Sequence, residues 1–166
     1  LLGRNADRLE QVALKCPQGA SILKCDLTQE AQVKKYTQHL QERPDTKLEV
    51  IINNAGIFEG HDPMNDSMEV WMRQFETNLF GSVRLTMALL PMLKKNGGGW
   101  ITNVASGLGL RPSPQFAAYS TAKAAMIAWT KSLAQAVGKD QIKVNCIAPG
   151  LVDTPIHGYK TEAERL

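Results

Sequence analysis

Across 166 residues, 19 basic side chains against 16 acidic ones leave a formal charge of +3, and 43% of positions are apolar. That length and balance suit one globular domain with a buried core, and exclude disordered, collagen-like and disulfide-scaffold chains. The basic residues are mixed with acidic ones and lack aromatic interleaving, so neither a nucleic-acid nor a membrane surface is expected.

The elements follow from periodicity. Residues 6–14 read as a helix opening after Asn5, 20–25 as a strand, and 29–42 as a second helix capped by Thr28 and ended by Pro44 and Asp45. Residues 48–52 form a β-branched strand, buried on both faces if its sheet is parallel, and 53–60 a loop. Residues 68–95 carry two adjoining helical stretches, closed by Asn96, Gly97, Gly98 and Gly99. Their most apolar run, 85–93, is about half of the ~20 residues a membrane span needs and contains Pro91. A strand at 100–104, a loop with Pro112 and Pro114, an Ala-rich helix at 117–137 ended by Gly138, and a strand at 142–147 complete the series. Alternating strands and helices predict an α/β fold, a doubly wound parallel sheet with helices on both faces. Cys16, Cys25 and Cys146 give neither a disulfide framework nor a zinc set, so no metal is expected and a reducing cytoplasm is the expected location.

Open α/β sheets bind ligands beyond the carboxyl ends of their strands. Those positions hold Asp26, the run Asn53-Asn54-Ala55-Gly56, Ser106 and Ala148-Pro149-Gly150. Tyr119 and Lys123, four apart on a helix, share one face, where an ammonium would stabilise a phenolate, lower its pKa and fit it for acid-base work. Ser106 would offer its hydroxyl to a substrate oxygen beside the tyrosine. Singly, each has an ordinary account: a solvated helix pair, a strand-end turn serine, an exposed Asn78 amide, a turn with Gly56 at positive φ.

In their joint order the sequence resembles the short-chain dehydrogenase/reductase family, through Asn53-Asn54-Ala55-Gly56, Thr77-Asn78 with Gly81, Ser106, Tyr119-Ser-Thr-Ala-Lys123 and Pro149-Gly150. The resemblance implies a nicotinamide-dependent oxidoreductase acting on a small carbonyl or alcohol. Tyr119 would be the acid-base residue, Lys123 would lower its pKa and hold the nicotinamide ribose, Ser106 would orient the substrate, and Asn78 would hold a relay water. Asp26 would meet the adenine, Asn54, Ala55 and Gly56 the adenosine ribose, Pro149, Gly150 and Val152 the nicotinamide, and Thr154 its amide or a phosphate. Gly3 stands where an acidic residue would accept the ribose hydroxyl of NAD, and Arg4 follows, so NADP is expected, with NAD as the alternative.

The family's Gly-rich phosphate turn is not found: Gly97-Gly98-Gly99 precedes a strand, and Gly107-Leu108-Gly109 leads into the proline loop. The resemblance starts at the family's second strand. Residues 1–166 are therefore expected to be a single Rossmann-like domain incomplete at both ends, lacking a first βα unit, a substrate lid and a last strand. The rival reading is a non-catalytic binding or assembly protein of the same fold. Phe58, Leu108, Leu110 and Phe116 give substrate loops a mixed apolar lining, and His61 and His157 are either substrate contacts or surface histidines. The resemblance further implies a homodimer or homotetramer through the two long helical regions, with Ala122, Ala125, Met126 and Trp129 suited to that packing.

Overall fold

The structure, a computed structural model, describes residues 1–43, 46–60, 66–154 and 156; Pro44, Asp45, His61 and His157 lie outside the described residues. The first strand, β1 (Leu2–Gly3), pairs in parallel with β2 (Leu23–Lys24). Between them runs helix α1 (Ala6–Ala13), whose N-terminus is capped by Asn5, the side chain accepting from Arg8 N at 3.0 Å. The expected strand at 20–25 shrinks to two residues.

Thr28 does not cap helix α2 (Glu30–Gln41). Asp26 organises the turn instead, its Oδ1 accepting from Thr28 N at 2.9 Å and Thr28 Oγ1 at 2.8 Å, while Asp26 N donates to Gln32 Oε1 at 2.9 Å. An aspartate two residues ahead competes well for that hydroxyl and amide because a carboxylate is the stronger acceptor.

A second parallel sheet runs in the order β3 (Val50–Asn53), β4 (Gly99–Val104), β5 (Ile142–Ile147), with Ile51 opposite Ile101 and Ile101 opposite Val144. The two sheets share no ladder, so the strands do not form one continuous sheet. Helices α3 (Met68–Phe75) and α4 (Gly81–Lys95) are joined by a π-helical turn, Glu76–Phe80, and α5 (Ala117–Val137) follows two short 3₁₀ turns. Leu93, Ile101 and Ile51 are buried between the sheet and α4, alongside Leu133 and Val137 of α5. The other face of the three-stranded sheet is uncovered: Val50, Ile52, Trp100 and Ile147 are 48%, 65%, 49% and 50% exposed. β3 thus alternates buried and open side chains and is not buried on both faces.

Ala122 and Met126 point into the protein's own core and are not available to a second subunit, while Ala125 and Trp129 pack beside that core and stay half-buried. An Ala-rich helix is apolar on several sides, and the stripe nearest the sheet wins the burial.

Candidate functional site

The carboxyl ends of β3, β4 and β5 meet the first turns of α5. Ser106, extended after β4, accepts from Leu108 N at 3.2 Å and so opens the turn Gly107–Gly109. Gly107 N donates to Pro149 O at 2.7 Å, which ties the ends of β4 and β5 together. A Cβ at Gly109 would stand 2.8 Å from the Lys123 carbonyl carbon, so only glycine lets this turn lie against α5.

Ser106 and Tyr119 line the same cavity, and the serine hydroxyl favours the phenolate form of Tyr119. Tyr119 is 7% exposed and Lys123 3%, and the Lys123 Nζ lies 5.7 Å from the Tyr119 ring centroid. Four-residue spacing on α5 therefore does place both groups together. The ammonium, however, donates to Val104 O at 2.9 Å. Burial pushes the Tyr119 phenol up from its ordinary value, and the Ser106 hydroxyl pulls it part of the way back. The net shift is upward, against the expected lowering: desolvation dominates, and the Ser106 hydroxyl favours the phenolate. Burial brings Lys123 down to about 8, with Cys146 opposing the fall.

Asn78 lies in the π turn and is fully buried, not an exposed amide. Its Oδ1 accepts from Ile57 N at 3.0 Å and its Nδ2 donates to Gln74 Oε1 at 2.7 Å. Gly56 sits against both this amide and the lysine, since a Cβ there would stand 2.8 Å from Asn78 Oδ1 and 3.5 Å from Lys123 Nζ. Gly56 is not among the glycines at positive φ. Its role is close approach, and a turn conformation does not explain it.

The remaining expected residues fall into two cavities at these strand ends. One of about 800 Å³ is lined by Ser106, Tyr119, Asn54, Pro149 and Gly150, with Val152 and Thr154 on the β5 side. One of about 190 Å³ is lined by Arg4, Asp26, Ala55 and Gly56, with Gly3 beside Arg4. Asp26 Oδ1 is engaged by Thr28 as described. In the larger cavity Phe58 stacks on Phe116 at 4.5 Å between centroids and meets Tyr119 edge-on at 4.9 Å.

Sequence reasoning missed three features. Gln74, fully buried, holds Asn78, and its Nε2 lies 3.4 Å from Glu59 Oε2, which also accepts from Arg73 at 2.7 Å. A polar chain crosses the sheet from Thr86 through Asn53 and Asn103 to Thr130, with hydrogen bonds of 2.7 to 2.8 Å. The signal available for it was two asparagines at register-paired positions in otherwise apolar strands. Arg111, in the wall of the larger cavity, carried no signal beyond its place in a loop.

Known proteins resemble this chain in sequence and in fold. A family model described as short chain dehydrogenase matches residues 1–165. An uncharacterized oxidoreductase of Staphylococcus epidermidis is 31% identical over 160 residues, covering 94% of this chain and 67% of that protein. A 3-oxoacyl-acyl-carrier-protein reductase, FabG, of Chlamydia muridarum is 42% identical over 108 residues, 64% of this chain and 43% of that one. The crystal structure of a Burkholderia xenovorans protein assigned to the short-chain dehydrogenase/reductases superposes with a TM-score of 0.89 at 26% identity, over 99% of this chain and 66% of that one. The chain thus spans about two thirds or less of the length of these proteins. With its sequence matched nearly end to end and its α/β structure superposed over the same length, the chain belongs to the short-chain dehydrogenase family.

Proposed function

We propose that the protein interconverts a carbonyl and a secondary alcohol with NADP(H), NAD being the alternative partner, and that Tyr119 is its acid-base residue. The observation that carries this reading is the buried Tyr119 phenol, in one cavity with Ser106 and with Lys123 one helical turn on. Family membership supports nicotinamide-linked oxidoreduction in general.

The Ser106 hydroxyl accepts from Leu108 N and turns its proton to a substrate oxygen when one enters beside Tyr119. A phenol held above its ordinary pKa stays protonated at neutral pH, so in the reducing direction Tyr119 donates its proton to the oxygen as negative charge develops there. Lys123, at about 8, is mostly cationic at neutral pH and renews that proton, with Asn78 positioning the water that links it to solvent. The bound dinucleotide supplies the hydride; the protein positions and polarises. The residues present fit its two ends. Arg4 lines the same small cavity as Asp26 and Ala55, and Gly3 offers no carboxylate to repel a 2′-phosphate. Pro149, Gly150, Val152 and Thr154 line the cavity that holds Tyr119. The reading takes the protein as a cytoplasmic homodimer or homotetramer acting on a small molecule. In support of that compartment, Cys16, Cys25 and Cys146 are all free thiols.

The test is Tyr119→Phe, followed by NADPH oxidation with a panel of ketones and by NADPH fluorescence titration. Turnover should fall about 10²-fold or more while the dinucleotide still binds; undiminished kcat overturns the assignment. Arg4→Ser should lower the preference for NADPH over NADH, and an unchanged ratio removes the cofactor assignment.

A further inference from the structure

Among the described residues, Arg111 is the one charged side chain lining the cavity of about 800 Å³. Its backbone is fixed by the reacting groups' own scaffold: Gly109 N donates to Ser106 O at 2.9 Å, and Arg111 N donates to Gly107 O at 2.9 Å. With Gly109 pressed on the backbone of α5 at Lys123, the turn that presents Ser106 also presents Arg111. Arg73 and Arg84, by contrast, are each paired with a glutamate, at 2.7 and 2.6 Å. Among the described residues the Arg111 guanidinium has no carboxylate and no side-chain hydrogen bond. Around it the wall is apolar, from Phe58, Leu108, Phe116, Ile147 and Ile156. An exposed guanidinium beside an apolar cavity is suited to an oxyanion that arrives with the ligand.

Resting on the carbonyl-alcohol reading above, we infer that Arg111 recognises an oxyanion at the far end of the substrate. The substrate class is then an amphipathic ketone or secondary alcohol. Its reacting oxygen lies at Ser106 and Tyr119, its apolar body lies along Phe58 and Phe116, and its carboxylate or phosphonate pairs with Arg111.

The test uses the NADPH-loaded protein and a series of methyl ketones of increasing length, 4-oxopentanoate, 6-oxoheptanoate and 8-oxononanoate, each beside its methyl ester, with the matching phosphonates as a second arm. The acid should exceed the ester in kcat/KM at one chain length, and Arg111→Gln should lower that acid-to-ester ratio about tenfold, with Arg111→Lys intermediate. The arm that shows the larger ratio identifies the oxyanion. A ratio unaltered by Arg111→Gln, or equal losses for acid and ester, overturns the inference. If no ketone of either kind is turned over, the reaction assignment fails by itself. Calorimetric titration of the same acids then decides the Arg111 assignment: binding weakened about tenfold by Arg111→Gln sustains it, and binding that is absent or indifferent to the substitution overturns it.

Discussion

The side-chain amide of Asn78 donates to Gln74 Oε1 at 2.7 Å, and neither residue retains any solvent exposure. One turn apart across the junction of α3 and the π turn, the two amides orient each other. With Nδ2 committed to Gln74, Asn78 must present Oδ1 to Ile57 N, and this fixes the strand-end loop beside Lys123. Gln74→Leu keeps the volume but leaves the Asn78 amide without its acceptor. A buried donor so stranded costs about 1–3 kcal/mol. Thermal or urea unfolding should register that loss, and kcat should fall with little change in KM. Stability and kcat both equal to the parent protein's would show that Gln74 does not hold Asn78.

Gly56 is the next point of contact. A methyl group there would meet Asn78 Oδ1 at 2.8 Å, closer than van der Waals radii allow, and the amide has no room to retreat because both its ends are bonded. Gly56→Ala should therefore break the Ile57–Asn78 bond or displace the loop. Overpacking of this kind costs about 1–3 kcal/mol, and the expected kcat loss exceeds that of Gln74→Leu because the added methyl would also stand 3.5 Å from Lys123 Nζ. Steady-state kinetics on the two variants side by side checks the ranking.

Why Tyr119, Lys123 and Ser106 were legible while Asn78's surroundings were not is a matter of range. A four-residue spacing on a helix and a position just after a strand are local facts, and they placed the phenol, ammonium and hydroxyl together. The π turn Glu76–Phe80 has no compositional mark, yet it is what turns Asn78 inward. The split into two sheets, and with it the open face carrying Ile52 and Trp100, depends on pairing between distant strands, which periodicity does not report. The sign of the Tyr119 shift was misjudged for a related reason. Spacing gave the neighbouring charge, whereas the dominant cause is burial by side chains from other elements, Phe58 among them.

Lys123 should make the protein's stability depend on pH in a defined sense. Burial lowers its pKa to about 8 from an ordinary 10.5, so between those values the unfolded chain binds more protons than the folded one, and this residue's contribution to stability rises with pH. Below about pH 8 the full cost of burying the ammonium is present, roughly 3 kcal/mol. Lys123→Met removes that cost and strands the Val104 carbonyl, which offsets about 1–3 kcal/mol of the gain. The stability of the variant relative to the parent should therefore decline by roughly 3 kcal/mol from pH 7 to pH 11, while turnover is lost at every pH. Urea unfolding across that range measures it; a difference that does not vary with pH would mean that the ammonium is not desolvated.

Ser106→Ala separates the two influences on the phenol. Burial raises Tyr119 and the serine hydroxyl lowers it, so removing the hydroxyl leaves only the upward effect. Reduction of a ketone needs the protonated phenol, and its alkaline decline should move to higher pH in the variant. Oxidation of an alcohol needs the phenolate, and its rise should move the same way. Both maximal rates should fall, by about tenfold to a hundredfold, because the substrate oxygen loses one donor. Freed from Ser106 Oγ, the Leu108 amide also loses its acceptor at 3.2 Å, so a modest loss in thermal stability should accompany the kinetic change. Paired pH profiles in the two directions read the result: a shift shared by both is the signature of the serine acting on the tyrosine, and limbs that stay in place would show that Ser106 touches only the substrate.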